Sequence, residues 1–92
     1  MSENKPSQTD GVRLQTVLDL LNISAYKLAK LSGVTPAALY HIGSGNNKLS
    51  DSLIEKIVRR FDQVSYSYLK AGAGEPILQT DAEKRRQHSM FL

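Results

Sequence analysis

The sequence predicts an all-α domain of five short helices, on three observations. First, apolar residues recur at helical spacing. Leu14, Val17, Leu18 and Leu21 follow i, i+3, i+4, i+7, and Leu53, Ile54, Ile57, Val58 and Phe61 form a second stripe. Second, no segment alternates apolar and polar residues for long enough to make a strand. Third, four Ser or Thr residues each stand after one apolar residue and four positions before another. They are Ser24 (Ile23, Leu28), Thr35 (Val34, Leu39), Ser50 (Leu49, Ile54) and Ser65 (Val64, Leu69). A hydroxyl at the N-cap accepts a hydrogen bond from an unpaired N–H of the first turn. The flanking apolar pair matches a hydrophobic staple. None of the four carries Glu or Gln at the third helical position, so the full capping box is absent from them.

These signals divide the chain in order. Residues 1–10 are polar, contain Pro6, and set Lys5 against Glu3 and Asp10, which predicts a flexible N-terminal arm. Helices follow over 12–22, 25–31, 36–42, 51–61 and 66–70. Pro36 falls at the first position of the third helix, where its missing N–H costs nothing. The second and third helices are separated only by Ser32-Gly33-Val34-Thr35. Gly33 can adopt the left-handed conformation that such a sharp turn demands. Two short helices joined by a tight turn containing Gly make a helix-turn-helix layout. The segment Gly72-Ala73-Gly74-Glu75-Pro76 ends the helical run and closes a domain over 11–76. The tail, 77–92, mixes Lys84, Arg85 and Arg86 with an apolar end, Met90-Phe91-Leu92. It reads either as disordered or as a short helix that docks on a second subunit or another protein partner.

Composition narrows the function. The chain has 92 residues, of which 40% are hydrophobic and 23% charged, as in ordinary globular domains. No apolar run approaches a membrane span, and the first residues lack the apolar core of a signal peptide, so a cytoplasmic protein with no membrane partner is expected. Cysteine is absent, which excludes disulfides, zinc–thiolate sites and thiol nucleophiles. His41 and His88 are the only histidines, too few for a metal site without further ligands. Asp19, Asp51, Glu55 and Asp62 form no nucleophile–base grouping, and no Gly-rich segment carries the Lys-Ser/Thr of a phosphate loop. No enzyme activity and no cofactor are therefore expected. The net charge of +3 hints at an anionic partner. Its distribution says more: from Asn22 to Ser50 there is no acidic residue, while Lys27, Lys30, Lys48 and His41 all lie there. An acid-free surface suits a phosphate backbone.

The stretch from Leu28-Ala29 through Gly33-Val34-Thr35 and Leu39 to Ile42-Gly43-Ser44-Gly45 resembles the helix-turn-helix of the Cro and phage-repressor type, the XRE family. The likeness covers roughly residues 12–69. The run Tyr68-Leu69-Lys70-Ala71-Gly72-Ala73-Gly74-Glu75 further resembles an ending found in one branch of these regulators. The resemblance implies a compact five-helix lambda-repressor-like DNA-binding domain. It implies that the helix 36–42 lies in the major groove with Thr35, Pro36, Ala37, Tyr40 and His41 as the base-reading face. It also implies phosphate contacts from the start of the second helix, Ser24, Tyr26 and Lys27, and from the following loop, Ser44, Asn46, Asn47 and Lys48. The family often has Gln after the capping Ser; here Ala25 stands there, with Tyr26 and Lys27 beside it to take over.

The residues qualify this reading. Val34, Leu39 and Ile42 turn one side of the third helix inward, and Ala37, Tyr40, His41 and Ser44 are left outward. That outward face holds no Arg, Gln or Asn, the side chains suited to bidentate base contacts. Specificity would then rest on apolar contacts, DNA shape and half-site spacing. Two functions follow. One is a DNA-binding transcriptional regulator, expected to be a homodimeric repressor acting on double-stranded DNA at the nucleoid. The other is a protein-interaction module on the same fold, such as an antitoxin-like partner or adaptor.

Overall fold

The computed structural model describes residues 9–45 and 48–89. Among them lie six helices: α1 (Asp10–Leu21), α2 (Ala25–Ser32), α3 (Pro36–Gly43), α4 (Asp51–Arg60), α5 (Tyr66–Ala71) and α6 (Asp81–Ser89). Residues 1–8 of the expected arm, the Asn46–Asn47 pair and the apolar end at 90–92 lie outside the described residues.

Each of the four hydroxyls expected to cap a helix does so. Ser24, Thr35, Ser50 and Ser65 accept from the backbone N–H groups of Lys27, Ala38, Leu53 and Tyr68. The first helix begins at Asp10, two residues earlier than periodicity predicts, because Thr9 is also a cap and accepts from the Val12 N–H. An acid in the first turn, Asp10, suits the positive end of the helix. Left-handed residues end three of the helices: Asn22 (φ 59°), Gly33 (φ 78°) and Gly72 (φ 70°).

The core is one cluster. Leu14, Val17, Leu28, Leu39, Ile54, Ile57, Val64 and Leu69 are fully buried in it. In this arrangement α3 packs on α1 and α2, α4 packs on α2 and α5, and α5 packs on α1. The inward stripes of α1 and α4 are those the spacing predicts.

The structure adds a sixth helix to the five predicted. After Gly74 the chain returns antiparallel along residues 63–65, forming an isolated bridge between Val64 and Ile77. Ser65 N–H donates to the Pro76 carbonyl (2.9 Å) and Leu78 N–H to the Gln63 carbonyl (2.6 Å). Helix α6 then starts in a full capping box. Glu83 N–H donates to Thr80 Oγ1 (3.1 Å), and Glu83 Oε1 accepts from the N–H groups of Thr80 (3.0 Å) and Gln79 (2.8 Å). Gln87 docks the helix: its Nε2 donates to the Val64 carbonyl (2.9 Å) and its Oε1 accepts from Tyr66 N–H (2.7 Å). One side-chain amide thereby satisfies two backbone groups, the Val64 carbonyl and the N–H of Tyr66 at the start of α5, which would otherwise lose their water without compensation.

The backbone donors of Gln79 and Thr80 hold the Glu83 carboxyl below its ordinary value of 4.5. A carboxylate lowered in the folded state contributes stability above its unfolded value and loses it as pH falls through the lowered one. Amide protection of α6 is therefore expected to fall on acidification below about pH 4. Glu83→Gln should remove that pH response. Hydrogen exchange of α6 measures it, and protection that is insensitive to acid in the unmodified chain contradicts the capping role.

Candidate nucleic-acid interface

An eight-residue helix cannot hold itself in water, so the position of α3 is set by what it buries. Leu39 is 1% exposed and Ile42 2% exposed. Val34, just before the Thr35 cap, is half-buried against the same core. Ala29, fully buried on α2, is small enough to let the two helices approach. Pro36 fills the first turn.

The opposite side of α3 faces outward. Thr35, Ala37, Tyr40 and His41 are exposed, Tyr40 by 57%, and Pro36 is half-buried. Of the residues expected to meet phosphates, Ser24, Tyr26, Lys27, Ser44 and Lys48 are exposed, while Asn46 and Asn47 lie outside the described residues. The start of α2 sits beside the outward face of α3: Ala25 and Tyr40 line one cleft, with Gly11, Leu14 and Gln15 of α1 at its other wall. The oxygens of Ser24 and Thr35 each accept one cap bond, and each hydroxyl keeps its O–H to donate to a ligand. Ser44 Oγ donates to the His41 carbonyl (3.0 Å) at the end of α3. Lys30 Nζ stands 5.9 Å from the Tyr26 ring centroid, a cation–π distance that gathers positive charge at the exposed side of α2.

Residues that spacing does not single out anchor this surface from behind. Arg13 is 7% exposed and ion-pairs with Asp10. Its Nε donates to the Leu69 carbonyl (3.2 Å) and its Nη2 to the Lys70 carbonyl (3.4 Å), at the end of α5. The second Asp10 oxygen accepts from Leu49 N–H (2.7 Å), where the loop after α3 meets α4. Gly11 lies against the end of α3: a Cβ there would stand 2.7 Å from the Ile42 carbonyl oxygen and 3.2 Å from that of Gly43. The only local signals for these roles are an acid and a Gly in the first turn of a helix.

The window from Asn22 to Ser50 is acid-free in sequence but not in space, because the Asp10 carboxylate reaches Leu49. Its charge is offset by Arg13. Asp51, at the start of α4, is offset by Lys70, whose hydrogen bond holds the Asp51 carboxyl below its ordinary value. Among the described residues no group of three or more His, Cys, Asp or Glu side chains could hold a metal ion. No helix among them is long and apolar enough to cross a membrane.

A capped, core-anchored α3 set behind a Gly turn from α2 defines a helix-turn-helix protein. The helix-turn-helix family model matches residues 14–69, from α1 through α5. The chain belongs to this DNA-binding family, of the Cro and phage-repressor type. The match leaves out Asp10–Arg13 and the returning segment with α6. Neither the curated proteins nor the solved structures compared with the chain gave a match.

The packing of Gly11 makes a prediction of unusual sign. Gly→Ala inside a helix ordinarily stabilises by about 0.5–1 kcal/mol. Gly11→Ala should instead destabilise by about 1–3 kcal/mol, because the new methyl meets backbone rather than a side chain that can turn away. Thermal unfolding followed by circular dichroism decides it, and a raised Tm contradicts the close approach of α1 to α3.

Proposed function

We propose that this protein is a sequence-specific transcriptional regulator that reads the major groove with α3. The observation that carries the proposal is the division of α3. Leu39 and Ile42 bind it to the core while Thr35, Ala37, Tyr40 and His41 stand outward within an acid-free stretch. In this reading the Ala37 methyl packs on a thymine methyl, and the Tyr40 hydroxyl and His41 imidazole each make one hydrogen bond to a base edge. Thr35 and Pro36 lead the helix into the groove. The unpaired N–H groups at the start of α2, with Ser24, Tyr26 and Lys27, take one phosphate region. Ser44, Asn46, Asn47 and Lys48 take another.

A single α3 with this side-chain set discriminates weakly, so the proposal includes a homodimer on a two-fold-symmetric site. Two reading helices, spaced one turn apart, multiply modest half-site preferences. Contacts with DNA shape add to them. Bound over a promoter, such a dimer represses by occluding it. The protein would then act where the DNA is, in the cytoplasm at the nucleoid.

The test is the double variant Tyr40→Ala with His41→Ala. Loss of two base-edge hydrogen bonds should cost about 2 kcal/mol, or some 30-fold, in binding the selected site. Binding to an unrelated duplex should change little, since phosphate contacts carry it. Equal losses on both duplexes, measured at one salt concentration, remove these residues from base reading.

A further inference from the structure

We propose that Asp10 is a positioning residue for DNA binding, acting through the loop that carries Lys48. The proposal rests on the functional reading above and deepens it. The loop between α3 and α4 is held at both ends by the first turn of α1. At its start, the Ile42 and Gly43 carbonyls lie against Gly11. At its finish, the Leu49 N–H, next to Lys48, donates 2.7 Å to Asp10 Oδ2. Thr9, Asp10 and Gly11 share one cleft with Ile42, Gly45 and Lys48.

The carboxylate is itself held in place. Its other oxygen pairs with the buried Arg13, and that guanidinium is tied to the Leu69 and Lys70 carbonyls of α5. Asp10 is therefore a joint between the rigid core and the exposed loop. It also answers a problem of charge. An acid beside a phosphate-binding loop repels DNA unless it is paired, and here Arg13 pairs it from the inner side. The arrangement keeps Lys48 at the surface, exposed, with its neighbouring N–H turned inward to Asp10. Without the joint, Lys48 exchanges one position for many, and its ammonium no longer meets a phosphate at a fixed place.

The experiment is a double-mutant cycle on the full chain, with Asp10→Ala, Lys48→Ala and both together. Binding to a fluorescein-labelled mixed-sequence duplex is followed by anisotropy across a KCl series, below the unfolding transition of every variant. Lys48→Ala should lower the salt slope by about 0.9, the value for one phosphate contact on B-DNA. Asp10→Ala should lower it similarly although it removes a negative charge. The double variant should lose little more than either single one, with non-additivity of about twofold or greater. A purely structural role for Asp10 lowers Tm and leaves the salt slope untouched. That outcome overturns the proposal, as does strict additivity or a Lys48→Ala slope equal to that of the unmodified chain. Asp10→Asn is the second variant, for the case where Asp10→Ala does not fold. It keeps an oxygen for Leu49 but loses the ion pair, so the same non-additivity is expected at smaller size, and additivity there is equally fatal. Failure of the unmodified chain to bind the duplex at low salt would instead count against the functional reading itself.

Discussion

Burial of Leu39 and Ile42 gives an eight-residue helix a fixed place, and the remaining architecture follows from that requirement. An isolated helix of this length is marginal in water. Each fully buried aliphatic side chain contributes about 1.5–3 kcal/mol, enough to hold the helix against the core. The other side of α3 is then free to carry whatever chemistry recognition needs. The neighbours of α3 are built to permit its approach: Ala29 on α2 is small, Gly33 turns the chain, and Gly11 on α1 leaves room for the Ile42 carbonyl.

The same division of labour recurs around the molecule. Hydroxyl caps begin all six helices, at Thr9, Ser24, Thr35, Ser50, Ser65 and Thr80, so short helices start at defined residues. Buried polar groups are used sparingly, where two chain segments must be joined. Arg13 joins α1 to the end of α5, and Gln87 joins α6 to the edge at Val64 and Tyr66. Removing either would leave buried backbone groups without partners, which costs more than the bond itself contributes.

Local physics was legible in the sequence and long-range physics was not. The caps at Ser24, Thr35, Ser50 and Ser65 were readable because a cap is settled within four residues. The inward and outward faces of α3 were readable from the helical period alone. Helix α6 has no apolar stripe, so periodicity does not announce it; only the Thr80–Glu83 box does. The Asp10–Leu49 and Arg13–Leu69 bonds span 39 and 56 residues, and no local pattern marks such partners. The role of Gly11 is of the same kind, since it concerns a backbone more than thirty residues away. The family match begins at Leu14, just after these three residues, so the anchoring turn of α1 is visible only in the structure.

The chain thus presents a helix-turn-helix whose outward α3 face is bland and whose support is elaborate. On the function proposed above, a face with Ala37, Tyr40 and His41 but no Arg, Asn or Gln would draw its selectivity from a few single contacts, from DNA shape and from spacing between two copies. That account is tested most directly by selecting the purified full chain against a randomised duplex library and sequencing the bound fraction. The account predicts enrichment of a two-fold-symmetric site, with half-sites about one helical turn apart, centre to centre. Binding at low salt with no enriched sequence would contradict it and leave attraction between phosphates and the basic surface as the whole of the interaction.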